Sequence, residues 1–89
     1  MKPKNYSAPL FQPSEWTNTQ QQEAAAYLSR SNTLSGLRRR QAINRSQISD
    51  VYRRLPTSLD EKPKLERGLA NLRVMERILA LAVDIMCFP

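Results

Sequence analysis

Two prolines, Pro56 and Pro63, bracket the segment PTSLDEKP and constrain the fold more than any other feature of the sequence. The residue before a proline is pushed out of the α region, so a helix arriving at Leu55 has to stop there. A proline in the first turn of the next helix is tolerated, because the amide it lacks has no partner in that turn anyway. Ser58 with Glu61 offers a capping box, and Lys62 followed by Pro63 offers a second start. The segment therefore predicts a short connection between two helices. Helices joined by so short a loop pack as antiparallel neighbours.

Apolar spacing supplies the two helices. Upstream, Leu34, Leu37, Ile48, Val51 and Leu55 recur at helical spacing, with Gln41 and Asn44 leaving a polar gap in the stripe. Downstream, Leu65, Leu69, Leu72, Leu79, Ala82 and Met86 form one stripe and Val74, Ile78, Leu81 and Ile85 a second. The spacing predicts helices over about 32–55 and 60–87, preceded by a shorter helix over about 15–30 whose apolar positions are Trp16, Ala24, Tyr27 and Leu28. Ser14 or Thr17 would cap it. Residues 1–13 carry Pro3, Pro9 and Pro13 without periodicity and read as a disordered arm, with Leu10 and Phe11 able to dock on the rest. The expected class is all-α. It is an antiparallel helical hairpin with a shorter leading helix, residues 14–89 forming one small domain.

Composition then removes most chemistry. The 89-residue chain has no histidine and a single cysteine, Cys87. It cannot build a Cys/His zinc site or a Ser–His or Cys–His pair, and it cannot form a disulfide within itself. The two glycines make no phosphate loop, and Asp60 and Glu61 sit where a helix start favours acids. No catalytic residue, cofactor site or metal site is expected, and the function should be binding rather than catalysis. The N-terminus lacks the apolar core of a secretory signal. The longest apolar run, Ile78 to Phe88, is 11 residues long and contains Asp84, well short of the ~20 that a membrane span needs. A cytoplasmic protein without a membrane partner is expected.

Charge points to the partner. The net charge is +6. Between Arg30 and Leu55 stand Arg30, Arg38, Arg39, Arg40, Arg45, Arg53 and Arg54 against Asp50 alone, so this one segment carries all of it. Arginine offers a planar fork of donors that suits phosphate or carboxylate. Arg38, Arg45 and Arg53 at spacings of seven and eight would line up over about 20 Å of helix, with Arg39, Arg40 and Arg54 beside them. Tyr52 among them is able to stack a base. The third helix is apolar nearly all round toward its end, so Ile78, Leu81, Ile85 and Phe88 are expected as a surface for a partner or for self-association.

Two stretches resemble helix-turn-helix modules. Gln22 to Leu28 with Ser29 to Leu34 resembles the opening of excisionase-type DNA readers, though the turn is one residue short and Gly36 falls inside the would-be recognition helix. Asn44 to Arg54 resembles a recognition helix without its preceding helix. Each covers under a quarter of the chain. Taken together, the residues predict a small regulatory or adaptor protein docking on a larger protein with an acidic surface. Its format suits a modulator of nucleic-acid-processing machinery, such as a phage or plasmid product acting on a host enzyme. The alternative is direct DNA or RNA binding by the same arginines, with a homodimer held through the third helix.

Overall fold

A computed structural model of the chain describes residues 12–57 and 59–88. The expected docking of Leu10 and Phe11, most of the N-terminal arm and the proposed Ser58 cap lie outside them. The described residues form three helices and no strand. These are α1 (Asn18–Ser31), α2 (Leu34–Arg54) and α3 (Lys62–Cys87), with 3-10 turns at Pro13–Glu15 and Leu59–Glu61.

Local chemistry sets each boundary. Thr17 Oγ1 accepts from the Gln20 amide at 3.1 Å, and Gln20 Oε1 accepts from the Thr17 amide at 2.8 Å, a complete capping box. The leading helix therefore starts three residues later than its apolar pattern suggested, and Glu15 belongs to the preceding turn. Pro13, expected as the end of the arm, is buried and opens that turn. At the other end of α1, Asn32 Nδ2 donates to the Leu28 carbonyl at 3.1 Å and Ser31 Oγ to the Tyr27 carbonyl at 2.9 Å, satisfying carbonyls the helix leaves over. Only Asn32 and Thr33 separate α1 from α2. Thr33 Oγ1 accepts from the Gly36 amide at 3.0 Å, so Gly36 falls in the first turn. Its entropic cost does not delay the helix. Before Pro56, α2 ends at Arg54. The next helix starts at Lys62 with Pro63 second, one residue earlier than a cap at Lys62 would have placed it.

Packing centres on α3. The core comprises Ala25 of α1, Leu37 of α2, and Ile78, Leu79 and Ala82 of α3. Trp16, Leu28, Val74, Met75, Leu81 and Met86 pack around it partly buried. Both α1 and α2 lie against α3, and α2 and α3 form the expected antiparallel hairpin. The apolar character all round the end of α3 is thus explained: one side meets α2 and another meets α1. Ile78, assigned from the sequence to an outward surface, is fully buried at the centre of the core, and Leu81 is half-buried beside it. Only Ile85 and Phe88 of that surface remain exposed, at 41% and 79%. Tyr27, expected on the inner face of the first helix, is 62% exposed, and buried Gln21 packs inward instead. Gln21 Nε2 donates to the Trp16 carbonyl at 3.1 Å, and the Ser14 amide donates to Asn71 Oδ1 at 3.0 Å, which ties the leading turn to α3.

The polar gap in α2 is structural. Asn44 is 5% exposed, and its Nδ2 donates to the backbone carbonyl of Leu72 in α3 at 2.9 Å. A buried amide without a partner costs about 1–3 kcal/mol, so this bond favours one alignment of the two helices over any sliding of one along the other. Helices pinned this way should unfold as a unit. Ile78→Ala is expected to lower unfolding free energy by about 2–5 kcal/mol, as for a truncated core isoleucine. Ile85→Ala is expected to change it by less than about 0.5 kcal/mol. Urea denaturation followed by circular dichroism checks both.

Candidate basic face on the second helix

The buried stripe of α2 runs through Leu37 and Asn44, leaving its charged residues on two flanks and the outward side. On an α-helix seven residues return to nearly the same face, whereas eight carry about 80° further round. Arg38, Arg45 and Tyr52 therefore line up, while Arg53 lies off their line. The strip expected from Arg38 through Arg45 to Arg53 ends on Tyr52 instead.

Asp50 claims the C-terminal pair. Arg53 Nη2 lies 3.2 Å from Asp50 Oδ1, and Arg54 Nε lies 3.1 Å from Asp50 Oδ2. Both are helix-neighbour pairs in solvent, so they orient the guanidinium groups more than they stabilise the fold. Arg38, Arg39 and Arg40 are exposed and form no ion pair with any described residue. Two exposed charge types thus occupy α2: a tethered pair at its end and three open arginines near its start. Beside the open ones stands Ile43, four residues on from Arg39 and three from Arg40, with 52% of its surface exposed. Arg40, Ile43 and Gln47 border a shallow hollow of about 170 Å³ over Met75 and Leu79.

The opposite flank is shared with α3. Arg45, Ile48 and Ser49 face Arg73, Glu76, Arg77 and Ala80 across a groove of about 690 Å³. Arg45 Nε approaches Glu76 Oε2 at 3.9 Å, the outer limit of an ion pair. At the rim the Tyr52 hydroxyl accepts from Arg73 Nη2, and the Arg73 guanidinium carbon lies 5.7 Å from the centre of the Tyr52 ring. That separation is within cation–π range. The Tyr52 hydroxyl is thus engaged by an arginine of the same chain.

Several of these residues escape a reading of the sequence. Arg73 and Arg77 belong to α3, outside the arginine-rich segment, and their i,i+4 spacing is the one local sign that they share a face. Ile43 gives no periodic signal, since it stands off the apolar stripe. A further hollow of about 680 Å³ opens between α2, α3 and Pro13, but its deepest polar groups are engaged: Asn44 with Leu72 and Asn71 with Ser14. Among the described residues no three His, Cys, Asp or Glu side chains come together, and no described helix is long and apolar enough to cross a membrane. No family model matches the chain, and neither the curated proteins nor the solved structures contain a significant match.

The tethering of Arg53 and Arg54 is open to direct measurement. Asp50→Asn is expected to change unfolding free energy by less than about 1 kcal/mol, since both ion pairs face water. It should also release both guanidinium groups, seen as faster hydrogen exchange at their Nε positions by nuclear magnetic resonance.

Proposed function

We propose that this chain is a small cytoplasmic, non-enzymatic regulatory or adaptor protein that docks on a larger protein complex through α2. The observation that carries the reading is Ile43, exposed amid Arg39 and Arg40 on the side of the helix turned away from Arg45. Arginines around an exposed aliphatic residue match the composition of protein interfaces, where an apolar anchor is ringed by groups that pair at the rim. A phosphate backbone has no use for the isoleucine. Nor does it favour a carboxylate within the basic face, and Asp50 lies there. Acidic side chains on the partner would meet the open Arg39 and Arg40 and steer association. The format of a small basic chain suits a partner within nucleic-acid-processing machinery.

Direct nucleic-acid binding is the second reading, and what favours it is that Arg38, Arg39 and Arg40 form no ion pair with any described residue. The two readings separate on Ile43. Extracts treated with nuclease and passed over the immobilised chain should yield a protein partner whose retention falls about tenfold or more with Ile43→Asp, and likewise with Arg39→Ala and Arg40→Ala combined. The opposite outcome is labelled DNA or RNA bound at about 50 mM salt, weakened about 10³-fold at 200 mM and indifferent to Ile43→Asp. That result would replace protein docking with phosphate contact.

A further inference from the structure

The groove between α2 and α3 lies on the other flank of α2 from Ile43 and plays no part in the docking reading. Its walls are charged and its floor is apolar. Arg45 comes from α2, Arg73 and Arg77 from α3, and Ile48 and Ala80 lie between them. Three guanidinium groups against the single carboxylate of Glu76 leave the lining at +2. We propose that this groove is a binding site for a dianionic phosphate group, whether free or carried as a monoester.

Several features support that ligand over a simple carboxylate. A phosphate monoester carries about −1.5 to −2 at neutral pH, which balances the lining, whereas a carboxylate neutralises half of it. Arginines on two different helices converge on one space, so a tetrahedral group with oxygens on several sides meets donors from both walls. Arg73 is already oriented by the Tyr52 hydroxyl. One of its five N–H donors is used in that bond, and the others remain for a ligand at little entropic cost. Arg77 has no ion pair with a described residue, and the Arg45–Glu76 contact at 3.9 Å is long and solvent-facing, so an anion can displace it. The Ser49 hydroxyl on the α2 wall adds a neutral donor. At about 690 Å³ the groove has room for a ligand of mononucleotide size.

The test follows the arginine Nε–Hε signals of the whole chain by nuclear magnetic resonance at constant ionic strength. Inorganic phosphate, adenosine monophosphate and acetate are titrated in turn. Phosphate and the nucleotide should shift Arg45, Arg73 and Arg77 saturably, while acetate should not. Arg77→Ala should weaken binding about tenfold or more, with Arg77→Lys restoring only part, because an ammonium lacks the fork. Glu76→Gln should strengthen binding severalfold, an outcome that a merely structural role for Glu76 does not produce. Equal affinity for phosphate and nucleotide would mean that the phosphate alone is recognised. A nucleotide preference would mean that the ester contributes contacts of its own. Arg39→Ala, on the docking side, should leave all of this unchanged. The proposal is overturned if no saturable shift occurs, if acetate matches phosphate, or if Arg39→Ala weakens binding as much as Arg77→Ala. None of these outcomes bears on Ile43, so the docking reading stands or falls separately.

Discussion

The rest of the molecule depends on the burial of Ile78, Leu79 and Ala82 in the C-terminal half of α3. This is the one segment apolar on more than one side, and it accepts Ala25 of α1 on one side and Leu37 of α2 on another. A short chain buries little surface in total, so concentrating its core on one helix is an economical way to hold three. The consequence is asymmetric. α3 gives up most of its apolar surface, whereas α2 buries a narrow stripe and presents the remainder to solvent. The arginines are displayed because their helix has only one packed face.

Asn44 makes that display specific. An apolar residue in its place would pack against α3 in more than one register, whereas the amide has one carbonyl to reach, that of Leu72. Fixing the register also fixes what stands opposite each arginine. Arg45 comes to Glu76 and Tyr52 to Arg73, so the α2–α3 groove follows from a single buried hydrogen bond. Buried polar groups serve this purpose in helical assemblies generally, trading some stability for alignment.

Much of the fold was legible in the residues. Pro56 and Pro63 marked the hairpin connection, and the apolar stripes the extent of both long helices. The physical reason is that caps, prolines and periodicity are local. What periodicity cannot supply is the partner of each face. Ile78 and Leu81 looked like surplus because nothing in the spacing says that other helices pack over them. Tyr27 looked inward because apolar character was read without the turn at Trp16, which the buried Gln21 holds. Candidate site residues followed the same division. The arginines of α2 were visible as a charge run. Arg73, Arg77 and the exposure of Ile43 emerge only once two helices are set in register.

A preformed face on α2 is the claim on which the functional reading rests, and native-state hydrogen exchange tests it most directly. Amides of α2 from about Leu37 to Val51 should be protected nearly as strongly as those around Ile78 and exchange through the same global opening. Exchange of the α2 amides at rates near those of an unfolded chain, with α3 still protected, would contradict the account. In that case the arginine face would not exist as a surface until a partner organised it.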